Sequence, residues 1–556
     1  MKTLRFLIIV LSLSLVFPSC DDLLDTDIDN QYIEKDDNDL SNPNDSVFSL
    51  FGILAEMQKL GSQYVILGEL RGDLVDVTNY SDKYLREINE FNISSKNPYI
   101  DVRPFYTVIN NCNYVIENMD TLASKGALLP DYAAAVRVRA WTYLQLLKNY
   151  SYVRYSEKPI ENVEDALNPD FYPIVSKDEI IDKLIDQLLK VHHVPGPLRY
   201  VDAIDMKYMI PTADFLLGEL YLWQDKYTEA ATYYKQVMEK GNYGYLCSDT
   251  YYPIEYYVSG GVRVSWGDIF SPTATNINNS NLVEVMAGMY YHATYGYENE
   301  LPKLFVDDYK LKPSSASINY WYDQQTNIYI NGNIYGDFRS YVSWKRGSQL
   351  SRAKDKTTTD AYINKFGYDS TNTAMGRLIL ERASLVHLRY AEAVNRLGKP
   401  TLALAALNYG VKKTVLENPL YVNQSEVAEK TYITNFDHTL YNTTAGVRGR
   451  VDLKPITIPS TVVTTKDSML YVEDMILKEA ALEMAYEGNR WGDLVRVALR
   501  RFDDADSPNI DYLANIVAEK FTNTGGLMSS TPSADAETIK AKLRNKENFF
   551  IPFPEE

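Results

Sequence analysis

Cysteine and histidine are scarce in this 556-residue chain, at three and five residues. Three cysteines cannot staple so long a chain, which excludes a disulfide-framed scaffold. Cys112 falls in a helical pattern and Cys247 beside a tyrosine-rich loop, so both read as buried thiols, with a disulfide between them as the other arrangement. The histidines carry no metal-ligand spacing, and His192 and His193 suit the negative end of the helix they close. There is no G-x-S-x-G elbow, phosphate loop, dinucleotide fingerprint or H-E-x-x-H. The sequence therefore calls for no cofactor or metal and displays no catalytic constellation. A glycosidase's paired carboxylates, whose separation is invisible in sequence, are the one enzymatic alternative. Cations are also in deficit, 56 Lys and Arg against 74 Asp and Glu, a net charge of -18. Nucleic acid is excluded as a partner on that ground, although a local basic pocket can overrule the global charge for a smaller anion. Beyond residue 17 no apolar run is long enough to span a bilayer.

What the chain has in excess is tyrosine, 45 residues, which offers broad amphipathic contact at low entropic cost. At the front, Lys2 and Arg5 flank an apolar run over 7–17 that fits a signal peptide, residues 1–19. It ends at Phe17-Pro-Ser-Cys20, and a small residue before a lone cysteine resembles a bacterial lipoprotein cleavage site, with Cys20 as the lipidated residue. Several acyl chains on one residue anchor stably. Residues 20–45 are acidic and aperiodic and read as a tether of roughly 25–30 Å by the square-root law for flexible chains. Asp25, Asp27 and Asp29 alternate as in a calcium loop, but Asn30 and Asp36 stand where that loop needs glycine and glutamate.

Residues 46–556 read as one body built from helical pairs at about 105–150, 176–241, 377–413 and 472–501. Within 213–241, Leu217, Gly218 and Tyr221 followed by Ala230 and Tyr234 match the tetratricopeptide pattern. Gly218 and Ala230 lack bulk where two antiparallel helices approach, and such a pair needs neighbours to bury its remaining face. Ser176 through Glu179 reads as a capping box. Between the second and third pairs, residues 243–374 lose helical periodicity and fill with aromatics, Gly, Asn and Ser. Asn331-Gly332 there marks a β-hairpin. So long an irregular insert is a functional candidate. Residues 414–470 are loop-rich. The fold class is thus mainly α, a tetratricopeptide-like scaffold with a partly β insert.

At Glu487-Gly-Asn-Arg490-Trp491-Gly-Asp493-Leu-Val-Arg496 the sequence resembles the SusD/RagB family of outer-membrane nutrient-binding lipoproteins. Leu388-Arg-Tyr-Ala-Glu-Ala393, the Phe550-Ile-Pro-Phe-Pro554 ending, Arg139-Ala-Trp-Thr-Tyr143 and Cys20-Asp-Asp-Leu-Leu-Asp25 extend the resemblance over the mature chain. These motifs read as structural: Arg490 and Asp493 share a helical face and can pair, and Trp491 can pack on the preceding helix. The resemblance implies four tetratricopeptide-like units whose intervening loops bind ligand. It implies docking on a SusC-like TonB-dependent transporter, as its lid, outside the cell. Cargo would be an oligosaccharide or polysaccharide, or less often a peptide. Asp21, Asp22 and Asp25 would supply a surface-export signal. A pure scaffold for other surface lipoproteins is the competing reading.

Sugar rings pack their C–H faces on aromatics while their hydroxyls seek amides and charges. Three clusters offer both. One runs from Tyr251, Tyr252, Tyr256 and Tyr257 to Trp266. A second holds Tyr290, Tyr291, Tyr295 and Tyr297. The third, Tyr320, Trp321 and Tyr322 before Asp323, Gln324 and Gln325, is favoured, because three consecutive aromatics cannot all enter a core. Arg71, Asp73 and Asn79 form a polar segment that the family resemblance places near the same surface.

Overall fold

The computed structural model describes residues 43–201, 204–240, 254–256, 262–270, 284–291, 298–326, 329–330, 333–334, 336–354, 360–366, 376–522 and 532–554. Cys20, residues 20–42 of the acidic tether with its calcium-like aspartates, Cys247, Tyr251, Tyr252, Tyr257, Tyr295 and Tyr297 lie outside these residues, as does the side chain of Tyr256; residues 43–45, read as the tether's end, instead begin a helix.

Antiparallel helical pairs carry the fold. The first, α3 (Arg103–Asn118) on α4 (Leu129–Asn149), packs against α1 (Pro43–Lys59), which is followed by α2 (Gly61–Glu69). Cys112, on α3, is a free thiol whose pKa burial pushes up to about 12. Then come α5 (Lys177–Val191), started by Ser176 Oγ accepting the Glu179 N–H at 3.3 Å, and the pair α6 (Ala213–Trp223) and α7 (Tyr227–Lys240). The small-residue reading of that pair holds. A Cβ on Gly218 would lie 2.6 Å from the ring of Tyr234, and Ala230 is fully buried. Tyr221 instead stacks on Tyr233 at 5.5 Å, half in solvent.

The insert is more ordered than its composition implies. It contains a helix, α8 (Ser315–Tyr322), started by Ser314 accepting the Ser317 N–H at 3.0 Å. Three strand pairs frame it. β1 (Val75–Val77) pairs with β3 (Leu311–Pro313), β2 (Val285–Tyr291) with β6 (Gly376–Arg382), and β4 (Trp344–Arg346) with β5 (Ala361–Ile363), all antiparallel. The strands expected around Asn331-Gly332 also pair, Tyr329 with Ile334 and Ile330 with Asn333. Residue 377, where the helices were expected to return, lies in β6 instead. Its partner strand is ninety residues upstream, and a fully buried strand has no polar alternation to betray it.

The helices resume at α9 (Ala383–Arg396) and α10 (Pro400–Asn408). α11 (Thr465–Glu483) begins at the Thr464 cap and ends five residues before Gly488, earlier than the periodicity suggests. Tyr486 (φ 70°) and Gly488 (φ 87°) then turn the chain into α12 (Arg490–Phe502), and α13 (Tyr512–Ala518) and α14 (Ala536–Leu543) pack beside it.

The signature segment explains itself here. Glu69, at the end of α2, accepts the N–H groups of Gly488 at 2.7 Å and Asn489 at 3.1 Å. Arg490 does not pair with Asp493. It clasps both oxygens of Asp73 at 2.7 Å, while Asp493 pairs with Arg389 at 2.6 Å and Arg496 at 3.1 Å. Arg496 in turn grips Glu392 of the Leu388–Ala393 motif at 2.6 Å. Trp491 is fully buried, against Phe91 and beneath Arg71, and donates to the Phe549 carbonyl at 3.2 Å. Helical periodicity identifies a shared face, but the longer-range carboxylates outcompete the local one.

A second buried network surrounds the end of α11. Glu483 meets Arg339 at 2.7 Å, Arg382 at 2.5 Å and Arg450 at 2.7 Å, and accepts the Trp266 indole N–H at 3.0 Å. Glu479 binds Arg339 and Arg448, and Glu487 binds Lys365 and Arg382. Burial opposes ionisation of Glu483, but the Arg450, Arg382 and Arg339 guanidinium groups prevail and hold its carboxyl well below the usual range. Glu219 and Glu392 are held below it too, where Arg389, Lys148 and Arg496 outweigh the burial of Glu219 and Arg496 and Arg500 that of Glu392.

Depressed carboxylates contribute stability that is present above their unfolded pKa and lost as pH falls toward the folded one. We expect thermal stability to drop as pH falls below about 4.5, the ordinary value for glutamate, measured by calorimetry across a pH series. Two glycines separate backbone constraint from propensity. Gly488 has positive φ and its Cβ would meet Tyr64 at 2.3 Å, so Gly488→Ala should cost more than about 1 kcal/mol. Gly52, in α1 with open space around it, should become more stable as Ala by up to about 1 kcal/mol, both read by denaturant unfolding.

Candidate ligand cavity

Most residues proposed from the sequence turn inward. Arg71 and Asp73 are buried, Arg71 donating to the Leu67 carbonyl and to Asn149, Asp73 clasped by Arg490. Trp266 is fully buried on Glu483. Tyr290 and Tyr291 lie in β2, and the Tyr291 hydroxyl donates to the Gln58 carbonyl at 3.0 Å, fixing the strand on α1. These five carry structure: Arg71, Asp73, Trp266 and Tyr291 have partners inside, and Tyr290 is buried with its carbonyl accepting from Gln58 at 2.6 Å. Asn79 is exposed, beside the half-exposed Tyr80.

The favoured cluster divides three ways, because consecutive residues of a helix point about 100° apart. Trp321 goes into the core and donates to the Leu482 carbonyl at 3.3 Å. Tyr320 is half-buried and its hydroxyl is engaged by Asp73 at 3.0 Å and Glu519 at 2.6 Å. Burial, then those two carboxylates, pushes its pKa well above the ordinary value, so the phenol stays protonated. Tyr322 faces solvent, 60 % exposed.

Tyr322 stands at a cavity of about 420 Å³. Its walls come from α8 (Ile318, Trp321, Tyr322), from the turn Gly336–Tyr341 and from β4 with the bend after it (Trp344 to Gln349). The turn is docked on α8: Asp337 N–H donates to the Trp321 carbonyl at 2.8 Å, and a Cβ on Gly336 would lie 2.6 Å from that oxygen. Asp337 is then held by Arg339, whose guanidinium bonds both its oxygens at 2.6 to 3.1 Å and reaches on to Glu479 and Glu483. The cavity wall is therefore bolted to α11.

On this frame stand rings that the sequence reading missed. Tyr341, 59 % exposed, stacks on the buried Phe338 at 5.3 Å. Trp344 is half-buried, and its indole N–H is buried without an acceptor among the described residues. Their only sequence signal is the three-residue spacing of Tyr341 and Trp344 in a serine-containing segment, which places both near one turn. A second, more open depression of about 450 Å³ lies between α7 and residues 430–438. Its rings are committed, the Tyr432 hydroxyl to Glu239 and His438 Nδ1 to the Leu440 N–H, so it has less to offer a ligand.

The sequence pattern of the SusD family matches residues 221–555. Solved structures share the fold. A SusD superfamily protein from Bacteroides vulgatus is 14 % identical with a TM-score of 0.62, over 92 % of this chain and 96 % of that one. A laminarin-binding SusD-like protein is 15 % identical with a TM-score of 0.57, over 92 % and 96 %. Surface glycan-binding protein A from Bacteroides uniformis is 14 % identical with a TM-score of 0.56, over 89 % and 96 %. No curated protein matches the chain. With the family pattern running through more than half of its residues, including the Glu487–Arg496 signature, this chain belongs to the SusD family.

Proposed function

We propose that this protein is a non-catalytic receptor that captures an oligosaccharide in the Tyr322–Tyr341–Trp344 cavity. It delivers that cargo to a TonB-dependent outer-membrane transporter, on which it acts as a lid. The observation that carries the reading is the pair of solvent-facing tyrosine rings at a rigid cavity in a SusD-family chain. Flat rings left in water beside a concave wall suit the C–H faces of sugars, and the volume suits a short stretch of glycan. The laminarin-binding and surface glycan-binding proteins of the same fold support carbohydrate as the cargo class. Cys20 after its apolar run supports a lipid anchor on the outer membrane, facing the exterior. No helix among the described residues is long and apolar enough to cross a membrane.

Titration calorimetry of the purified protein against a polysaccharide panel, with chromatography of the mixtures, tests the capture reading. Binding without cleavage is expected, and Tyr322→Ala and Tyr341→Ala should each weaken it about two- to tenfold. Cleavage products, or unchanged affinity in the double variant, would overturn it. For the anchor, Cys20→Ser should abolish incorporation of labelled palmitate in cells and release the protein from the membrane fraction.

A further inference from the structure

The two solvent-facing rings of the cavity are held differently. Tyr341 has a second ring behind it: Phe338, 2 % exposed, lies under one of its faces at 5.3 Å with the planes 28° apart. The turn fixes that geometry, since the Tyr341 N–H donates to the Phe338 carbonyl at 3.1 Å and the Ser340 hydroxyl to the Asp337 carbonyl at 2.7 Å. Phe338 is itself packed in a buried cluster with Trp266, Val285 and Ile379. It therefore supports one face of Tyr341 and leaves the other for a ligand. Tyr322 has no such backing. Its carbonyl and Cα crowd Gly336, where an added Cβ would meet them at 2.9 and 3.1 Å, so its backbone is fixed. Its side chain, 60 % exposed, has neither a ring partner nor a hydrogen-bond partner among the described residues.

A ring fixed before binding loses little rotamer freedom when a sugar stacks on it. An unbacked ring must be ordered, and that cost subtracts from the contact it makes. We propose that Phe338 is the positioning residue of this cavity. It holds Tyr341 as a standing platform for a sugar ring, and Tyr322 is a clasp that orders only once cargo lies on that platform. The inference rests on the glycan-capture reading and gives its two rings unequal roles.

The test begins with the protein alone. 4-Fluorophenylalanine, placed singly at Tyr341 and at Tyr322, reports the mobility of each ring through fluorine transverse relaxation. In the free protein the label at Tyr322 should relax at least about twofold more slowly than the label at Tyr341, as an exposed side chain free to change rotamer does. Laminarin and the rest of the polysaccharide panel are then added. A bound glycan should raise the rate at Tyr322 toward that at Tyr341 and leave the latter nearly unchanged. Calorimetry supplies the second arm. Phe338→Leu, which keeps an apolar side chain and removes the supporting ring, should weaken glycan binding about two- to tenfold. The same loss should appear in the Tyr322→Ala background and vanish in the Tyr341→Ala background, whereas a merely structural role would weaken both alike. The fluorine comparison uses no core substitution and stands even if Phe338→Leu folds poorly. Equal mobility of the two rings in the free protein, or equal losses in both backgrounds while glycan still binds, would overturn platform and clasp and leave capture intact. Silence across the panel, with the rings unequal in the free protein, would overturn capture and the clasp together.

Discussion

Ten charges buried around the end of α11 set the conditions for the rest of the molecule. Arg339, Lys365, Arg382, Arg448 and Arg450 face Glu284, Asp337, Glu479, Glu483 and Glu487, five of each sign. Removing such groups from water is expensive, and the cost is recovered only if every charge keeps its partners; deleting one member of a buried pair typically costs about 3–5 kcal/mol. The network is therefore an all-or-nothing contact. It ties α11, the strand β6 and the insert turn at Asp337 to one another through paired charges. Apolar packing around Leu477, Ile476 and Ala480 supplies bulk stabilisation, whereas the charges supply uniqueness.

Uniqueness matters at the cavity. Its walls come from α8, β4 and the turn between them, and the rings of Tyr322 and Tyr341 stand largely in solvent. They are held because their backbones are held: Trp321 by the Leu482 carbonyl, the Gly336–Asp337 segment by the Trp321 carbonyl, and Asp337 by Arg339. A site built this way spends little conformational entropy when it closes on a ligand. The network of the signature segment, from Glu69 and Asp73 through Arg490 to Glu392, has the same character, and Asp73 also meets the Tyr320 hydroxyl of α8.

Much of the helical scaffold was legible because the 3.6-residue period of helices such as α4, α5 and α6 is local information. The Gly218–Tyr234 approach was legible for the same reason, two elements adjacent in sequence needing one small residue. What escaped was non-local. Arg490 had a carboxylate three residues away and chose Asp73, 417 residues distant. β6 needed β2 to be recognised as a strand. Trp266, Tyr290 and Tyr291 looked like a binding surface because an aromatic's destination depends on whether a partner such as Glu483 or Gln58 waits inside. In the favoured cluster neither the ring that would emerge nor the arrival of Tyr341 and Trp344 beside it was legible from local pattern. Helix geometry settled the first, and the docking of the 336–349 segment settled the second.

The division of labour within residues 336–349 bears on how a receptor of the proposed kind would change its cargo. Arg339 and Asp337 point their charges toward α11, while Tyr341 stands in water and Trp344, Lys345 and Arg346 border the cavity. If the cavity holds the cargo as proposed, substitutions on the outward positions would alter what is bound without disturbing the buried pairs that keep the backbone in place. Folding and cargo choice are thereby carried by different side chains of one short segment. A lineage facing a new nutrient can rewrite the outward set while the inward set goes on specifying the same molecule.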